Sequence, residues 1–469
     1  MKLKGGYNAL LESRPSPIVQ RLPEPKELYL PLYSRRFLFD EICVEDGQQV
    51  NAGDVVAKDP INFALPLLAP RGGTVRLKTV NNHIVLTDIF PPDKKVYVPE
   101  KYSHHIVRKV GTIGINRYKL LSFGAWEFFY DAHTGQLPDP LGTPQAVIVS
   151  TLSLEPFLAR GDVQLHNRLL NFTRGLEQLQ SLLEYQPIYL VVPDIKSDFA
   201  NLVRNQIRGY AWAKMIEVPL TYPRDNFVIL AREIGLKKSK GTVWALRTEG
   251  VLAVDRALTL SKPCLVRIVP IGGTGVNSPN HLKLIPGYPI KKIIDEYVFE
   301  PNARIIEGGV FTGKQLDKGK HGIDNECRGL TVIAEQQERE FLGFMRFGWN
   351  RSSYSNCFLS TLRKPFREKL TTGLHGEKRP CISCNYCEEI CPAGIMPHFI
   401  HKYLYADLIE DAEQARLDLC VECGLCAFVC PSKIPLTGEF INAKVIIAKE
   451  KEEIRLEQER QKSLEEKIS

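Results

Sequence analysis

Eight cysteines near the C-terminus restrict what this chain can fold into more than any other feature. They form two runs of one spacing, each ending in a Cys-Pro pair: Cys381-x-x-Cys384-x-x-Cys387-x-x-x-Cys391-Pro392 and Cys420-x-x-Cys423-x-x-Cys426-x-x-x-Cys430-Pro431. This spacing is typical of bacterial ferredoxins with two iron–sulfur clusters. It predicts a segment that folds around two clusters and passes single electrons.

The spacing also predicts which cysteines act together. Three thiolates on a tight loop bind one cluster, and the fourth cysteine, at the start of a helix, reaches the neighbouring cluster. The expected ligands of cluster 1, a [4Fe–4S] cluster, are Cys381, Cys384, Cys387 and Cys430. The expected ligands of cluster 2, also [4Fe–4S], are Cys420, Cys423, Cys426 and Cys391. Apolar residues between the cysteines are expected to shield the clusters from water: Ile382, Ile390, Val421, Leu425 and Val429.

Two other uses of these cysteines are less consistent with the pattern. Structural zinc sites also use Cys-x-x-Cys pairs, but four ligands complete such a site without a third Cys-x-x step or a Cys-Pro ending. Disulfides are typical of secreted proteins, and the N-terminus has no apolar signal core. The remaining cysteines stand alone, and we expect them to be buried structural thiols: Cys43, Cys264, Cys327 and Cys357.

Length and charge limit the function classes. A chain of 469 residues is too long for one core and predicts about three or four domains. The net charge of +7 is modest, and no Arg/Lys stripe with interleaved aromatic residues indicates nucleic-acid binding. No stretch approaches the ~18 apolar residues of a membrane span. We therefore expect a soluble, cytoplasmic protein that works at a membrane only through partners.

The patterning along the chain predicts a multidomain α+β and α/β protein. Short apolar runs separated by glycine turns indicate β structure, and alternating strands and helices indicate a mostly parallel sheet. The expected order is an irregular N-terminal segment (1–26), a flattened β domain of the barrel-sandwich-hybrid type (27–100), a Rossmann-like α/β domain (101–240), a β-grasp-like domain of the SLBB type (241–325), a connector (326–375), a helical dicluster ferredoxin module (376–440) and a charged helical tail (441–469).

Several other motifs favour ordinary structural roles. Gly308–Gln315 nearly matches a phosphate-binding loop, but Gln315 occupies the position that needs Ser or Thr for magnesium, so we expect a turn between strands. Gly272–Gly275 is a glycine-rich turn, and no dinucleotide fingerprint follows a strand. The adjacent His104 and His105 point in different directions and do not predict a metal site. We interpret Arg35 and Arg36 as solvated surface arginines.

Two families resemble this chain. The cysteine module resembles the C subunit of Rnf-type ion-pumping oxidoreductases, on the strength of Pro380-Cys381, Cys391–Pro397 and Cys430–Leu436. The body resembles the A subunit of the sodium-translocating NADH:quinone reductase. The stretches that carry this second resemblance are Trp244–Leu246, Arg304–Val310, Glu340–Gly343 and Thr371–Gly373.

The chain departs from both families. The quinone reductase A subunit usually lacks a full cysteine set, whereas all eight cysteines are present here. The Rnf C subunit has a glycine-rich loop that binds FMN and faces NADH. The corresponding stretch, Gly111–Trp126, has few glycines and includes Tyr118 and Lys119, which would crowd a flavin phosphate. We therefore expect neither FMN nor a direct NADH site.

The resemblance implies an iron–sulfur electron-transfer subunit, peripheral on the inner face of the cell membrane. It would relay electrons between a donor protein and a quinone-side or membrane-side acceptor, in a complex of membrane-embedded and soluble subunits that couples electron flow to Na⁺ or H⁺ movement. Three alternatives stay open: a complete dehydrogenase that binds FMN and NADH, a ferredoxin-fused scaffold of another oxidoreductase, and a structural component whose clusters only stabilise the fold. The sequence assigns no catalytic residue and no quinone-site residue.

Overall fold

The computed structural model describes residues 5–77, 80, 82–91, 114–183, 186–194, 197–316, 321–336, 348–349, 354, 358–362 and 367–468. The chain divides into two compact units. The larger unit is Leu11–Glu335 with Lys369–Thr371, and the smaller is Met1–Leu10, Gln336–Glu368 and Thr372–Ser469. Within the ranges given above, no helix combines the length and the apolar character needed to cross a membrane.

The first part of the larger unit consists of short antiparallel strands. Glycines at φ +81° (Gly47) and +94° (Gly53) form the turns between them, a conformation that side chains with a Cβ rarely adopt. The strands form one sheet of order β2-β8-β7-β4 and another of order β3-β5-β6. Their bounds are β2 Leu28–Pro31, β3 Glu41–Ile42, β4 Gln49–Val50, β5 Val55–Asp59, β6 Leu65–Leu68, β7 Gly72–Arg76 and β8 His83–Phe90.

A five-stranded sheet of order β12-β11-β10-β13-β9 follows. Strands β10 to β13 pair in parallel, and only β9 is antiparallel. This confirms the mostly parallel sheet predicted from the alternation of strands and helices. The strands are β9 Tyr130–Asp131, β10 Ala146–Ser150, β11 Ile188–Pro193, β12 Ala213–Val218 and β13 Val243–Arg247. The helices are α1 Ile115–Ser122, α2 Gly161–Gln164, α3 Leu169–Leu182, α4 Asp198–Ile207, α5 Phe227–Ile234 and α6 Thr248–Leu260.

The core of this region is apolar and closely packed. Every residue of β10 is buried, as expected for a strand covered on both faces. The indole of Trp126 stacks on Phe129 with ring centroids 4.4 Å apart and meets Trp244 edge-on at 5.2 Å. Helix α3 packs directly on α6 at Gly175, where an added Cβ would lie 2.4 Å from the Val251 carbonyl oxygen. A glycine is therefore required at this helix crossing.

A six-stranded sheet of order β1-β15-β14-β18-β16-β17 completes the larger unit. Its strands come from both ends of the unit: β1 Val19–Arg21, β14 Arg267–Gly272, β15 Asn280–Leu284, β16 Arg304–Glu307, β17 Lys314–Leu316 and β18 Leu330–Ile333. The helix α7 Ile290–Tyr297 buries Ile290, Ile293 and Tyr297. This is the helical spacing of one apolar face.

The topology corrects three expectations. The N-terminal segment is not wholly irregular, because β1 pairs in parallel with β15. The three residues of β1 are exposed, and they show no alternation of apolar and polar residues that would predict a strand. The predicted boundary at residue 240 divides the parallel sheet, since β13 pairs with β10 along its whole length. The six-stranded sheet likewise continues past residue 325 into β18. The specific names of these domains stay predictions.

Arg36 is not a solvated surface residue. Its side chain is 8% exposed and pairs with the Glu326 carboxylate at 2.5 Å. It also donates to the carbonyl oxygens of Glu127 and Phe129 and lies 3.9 Å from the Tyr130 ring centroid. These partners are about 90 to 290 positions away along the chain, so no local pattern identifies them. Arg35 is exposed, as expected.

Replacing Gly175 with alanine should lower the free energy of unfolding of the larger unit by about 1–3 kcal/mol, because the new methyl group overpacks the α3–α6 crossing. Urea unfolding followed by tryptophan fluorescence measures this, since Trp126 and Trp244 lie in the same core. The matched control is Gly114→Ala, where an added Cβ would have nothing within 4 Å. An equal loss in both variants would contradict the packing explanation.

Candidate iron–sulfur centres

The predicted cysteine module lies in the smaller unit and consists of short helices joined by tight loops. The helices are α8 Tyr386–Glu389, α9 Pro397–Tyr405, α10 Ile409–Gln414, α11 Leu425–Phe428 and α12 Leu436–Ile468. The two cysteine runs repeat with an offset of 39 residues, the separation of Cys420 and Cys381. The same offset relates α8 to α11 and the start of α9 to the start of α12. The module is therefore an internal structural repeat.

The loops before α8 and α11 have the same backbone shape. Ser383 and its counterpart Glu422 both have φ of 54°, and Asn385 (63°) corresponds to Gly424 (78°). These left-handed residues turn backbone N–H groups toward the cysteines: Ser383 donates to Cys381 Sγ at 3.5 Å and Glu422 to Cys420 Sγ at 3.4 Å. Backbone amides arranged in this way form concavities for anionic groups, iron–sulfur clusters included.

The structure brings cysteines of both runs around each of two cavities. The first cavity is lined by Cys381, Cys384 and Cys387 of the first run and by Cys430 of the second. The second is lined by Cys420, Cys423 and Cys426 of the second run and by Cys391 of the first. Each cavity thus has three cysteines from one loop and a fourth from the other repeat. These are the two groups that the spacing predicts.

Burial and neighbouring thiols raise the pKa values of cysteines in both cavities. Burial raises the pKa of Cys387 to about 12, and the neighbouring Cys384, Cys430 and Cys381 raise it as well. Burial likewise raises the pKa of Cys423 to about 12, with Cys420 and Cys391 as further causes. Four thiolates around one cavity repel each other when nothing positive lies between them. A cationic group bound there would remove this cost, and the thiols would then bind as thiolates.

The donor set of each cavity fits an iron–sulfur cluster. Four cysteines line each cavity, and Cys thiolates are the ligands of [4Fe–4S] clusters. Four thiolates also complete a structural zinc site. The preference for clusters therefore rests on the spacing of the two runs and on their Cys-Pro endings.

The apolar walls agree in part with those predicted. Ile382 lines the first cavity, and Val421 and Leu425 line the second. Ile390 and Val429 are buried but line neither cavity, and each directly follows the short helix of its repeat. Ile434 and Leu436 in the first cavity and Ile395 and Phe440 in the second complete the walls. Sequence reasoning missed these because they lie beyond the last cysteine of each run.

Two histidines of the first cavity were also missed. His398 and His401 both line it, and their spacing of three residues places them on one face of α9. The Nδ1–H group of His401 donates to Glu439 Oε2 at 2.6 Å. His398 is 6% exposed, and its buried Nδ1 has no hydrogen-bond partner. Two sequence signals could have identified them. The spacing of three residues places both on one face of a helix, and the 39-residue repeat places that helix directly after the first cysteine run.

The glycine-rich segment that resembles a phosphate-binding loop is a turn, as expected. It connects β16 to β17, which pair antiparallel. Its backbone amides are already satisfied within the chain, since Phe311 and Thr312 both donate to Glu155 Oε1 at 2.8 Å. The Thr312 hydroxyl donates to Oε2 of the same carboxylate at 2.7 Å. Glu155 therefore occupies the position that a phosphate would take.

The solitary cysteines differ in their surroundings. Cys327 is buried and Cys264 is partly buried, as expected for structural thiols, and burial raises the pKa of Cys264 to about 11. Cys43 is exposed, so the expectation of a buried thiol was wrong there; it follows a two-residue edge strand that nothing covers. Cys357, the His104–His105 pair and the first residues of the Gly111–Trp126 stretch lie outside the described residues. The rest of that stretch includes α1.

Comparisons with known proteins match two parts of the chain to protein families. Residues 380–434 match the family described as 4Fe-4S dicluster domain, and residues 116–261 match the family described as NqrA second alpha/beta domain. A solved NAD⁺-reducing [NiFe]-hydrogenase chain in the H₂-reduced state gives a TM-score of 0.42 at 9% identity, over 69% of this chain and 62% of that one. No argument rests on a likeness this weak.

Curated relatives match over most of the chain. The A subunit of the Na⁺-translocating NADH-quinone reductase of Alcanivorax borkumensis is 26% identical over 413 residues, which is 84% of this chain and 88% of the relative. The A subunit from Neisseria gonorrhoeae is 24% identical over 451 residues, 92% of this chain and 96% of the relative. The predicted resemblance to these A subunits is confirmed, and that to the Rnf C subunit stays a prediction. The chain is therefore similar over most of its length to the A subunits of Na⁺-translocating NADH-quinone reductases, and it carries a 4Fe-4S dicluster domain near its C-terminus.

Proposed function

We propose that this chain is the iron–sulfur electron-transfer subunit of a membrane redox complex of the Nqr or Rnf type. The observation that carries the proposal is the pair of four-cysteine cavities, each built from both halves of an internal repeat. The match to the dicluster family and the similarity to the quinone reductase A subunits support it. Neither comparison names the reaction of this chain, so the relay is our inference.

We further propose the two ligand sets predicted from the spacing. Cys381, Cys384, Cys387 and Cys430 would hold cluster 1, and Cys420, Cys423, Cys426 and Cys391 would hold cluster 2. When bound, such clusters accept and release single electrons. The protein holds the thiolates in place, donates backbone N–H groups to their sulfurs, and limits the access of water with the apolar walls. Those contacts tune the potentials of the clusters.

The similarity to known proteins supports a position within a larger complex. The relatives are A subunits of Na⁺-translocating NADH-quinone reductases. By analogy, we propose that this chain is peripheral on the inner face of the membrane, with membrane-embedded and soluble subunits as partners. It would pass electrons between a donor protein and a quinone-side acceptor in a complex that moves Na⁺ or H⁺. The barrel-sandwich-hybrid, Rossmann-like and SLBB-type domains would form the docking scaffold.

The reduction of the purified chain distinguishes a relay from a dehydrogenase. Under anaerobic conditions, dithionite should bleach the broad visible absorbance of the clusters, whereas NADH alone should not. The physical reason is that NADH delivers a hydride and needs a flavin to split it into single electrons. The stretch Gly111–Trp126, which corresponds to the FMN loop of the Rnf C subunit, has few glycines. Fast bleaching by NADH, with flavin released on denaturation, would establish the dehydrogenase alternative. Clusters that dithionite cannot reduce would favour a purely structural role.

The crossed ligand sets make a sharper prediction. Cys430→Ala should lose the same cluster as Cys384→Ala, although Cys430 belongs to the other run, because both side chains line the first cavity. Cys391→Ala should in turn match Cys420→Ala. Each variant should lose about half of the bound iron and sulfide, and the electron paramagnetic resonance (EPR) spectrum identifies the remaining cluster.

The matched control is Cys264→Ala, since the Cys264 thiol lies in the larger unit and outside both cavities. This variant should keep the full iron content. If Cys391→Ala leaves the same spectrum as Cys384→Ala, each run binds its own cluster and the crossed assignment is wrong.

A further inference from the structure

The two cavities of the repeat are not equivalent in their lining. The 39-residue offset relates His398 of the first cavity to Thr437 of the second, and His401 to Phe440. One cavity therefore has two imidazoles where the other has one hydroxyl and one phenyl ring. The Thr437 hydroxyl lies 3.7 Å from Cys426 Sγ, which is a weak contact to sulfur.

The imidazole of His401 is held in a defined orientation. A carboxylate can only accept hydrogen bonds, so the contact with Glu439 places a proton on Nδ1 of His401. His398 has a buried Nδ1 with no hydrogen-bond partner, and the nearest carboxylate oxygen, Glu388 Oε2, is 3.6 Å away. A buried polar nitrogen without a partner costs free energy. The sulfur atoms of a cluster in this cavity could accept a hydrogen bond from the His398 ring, whose Nδ1 has no protein partner.

The loops over the two cavities also differ in exposure. Ile382 is 66% exposed, whereas its counterpart Val421 is half-buried. The second loop is covered by Lys444, on the third turn of the long helix α12. Its ammonium group donates to the Cys420 carbonyl oxygen at 2.6 Å and to Glu422 at 3.0 Å. The counterpart of Lys444 is Tyr405, the last residue of the shorter α9, and it is 86% exposed. Water therefore has more access to the first loop.

Charged side chains of both signs lie near each site. At the first cavity, the Lys402 ammonium donates to the Ser383 hydroxyl at 3.2 Å, and Glu439 pairs with His401. At the second cavity, Lys444 pairs with Glu422. Both sites thus have a cation and a carboxylate nearby, and the difference that we use rests on His398 and on hydration.

We propose that cluster 1, at the first cavity, has the higher reduction potential of the two, and that His398 is the positioning residue that sets the difference. The Nδ1 proton of His401 is already donated to Glu439, so the neutral His401 ring has no N–H group left for a cluster sulfur. Reduction adds a negative charge to a group that is already anionic with its four thiolates. Hydrogen-bond donors and nearby water stabilise that charge and so raise the potential. The inference rests on the proposed function, because it assumes that both cavities hold clusters.

The direction of transfer follows from this difference. With both clusters bound, an electron from an external one-electron donor would be shared between them by transfer from cluster 2 to cluster 1. It would reside mainly at cluster 1, under the more exposed loop. A redox partner would therefore collect electrons at the Ile382 side of the module.

The test is an anaerobic redox titration of the cluster-loaded full chain with dithionite, followed by EPR. Two reduction steps should be resolved in the wild-type protein. Cys384→Ala should remove the higher-potential step, which assigns that step to cluster 1. The double variant His398→Thr, His401→Phe gives the first cavity the residues of the second. It should lower the equilibrium constant for the one-electron reduction of cluster 1 by about tenfold. This corresponds to a decrease of about 59 mV in its reduction potential.

The control variant is His166→Thr, which changes an exposed histidine of the larger unit and should shift neither step. If the double variant binds too little iron, His398→Thr alone tests the proposal with Glu439 still paired. The proposal is overturned if the higher-potential step persists in Cys384→Ala, or if loaded histidine variants leave both potentials unchanged. Failure of the wild-type chain to bind any cluster would instead overturn the proposed function.

Discussion

The convergence of four cysteine thiols on one cavity is the interaction on which the smaller unit depends. Each group joins three cysteines of one loop to a fourth cysteine of the other repeat. Burial, and after it the neighbouring thiols, raises the pKa of Cys387 and of Cys423. A bound cationic core would reverse the sign of this interaction and link the two repeats at two points. Folding of this segment and cluster binding would then be coupled, as in small metal-binding domains.

The internal repeat explains both the likeness and the difference of the two centres. The left-handed residues before α8 and α11 are the same in position, so the loops present their amides to sulfur in the same way. The helices that follow have diverged. Helix α9 ends at Tyr405, whereas α12 continues to Ile468 and covers the second loop through Lys444. One fold thus provides two sites with different access to water. This difference would give two identical cofactors different reduction potentials.

The polar groups that the sequence singled out in the larger unit are paired within the chain. Its glycine-rich turn, which resembles a phosphate-binding loop, is filled by the Glu155 carboxylate, and Arg36 is buried against Glu326. The same unit contains residues 116–261, which match the NqrA second alpha/beta domain family.

Local patterns were enough for much of the fold. The alternation of apolar strand and helix segments predicted the mostly parallel sheet that β10 to β13 form, because runs of buried apolar residues are visible in the sequence. Strand β1 left no such trace: it is an exposed edge strand, and its partner β15 is more than 250 residues away. The pairing of β13 with β10, across the predicted domain boundary, is equally non-local.

The sequence by itself determined the chemistry of the candidate site, because ligand type and spacing are covalent properties of a short segment. Eight cysteines with two Cys-Pro endings could be divided into their two groups from spacing alone. Only the tertiary structure decided what surrounds each group. The pairing of His401 with Glu439, the cover supplied by Lys444 and the exposure of Ile382 depend on where α9 and α12 end and on how they pack. Those distances are set by three-dimensional packing of residues far apart in the chain, and no residue pattern encodes them locally.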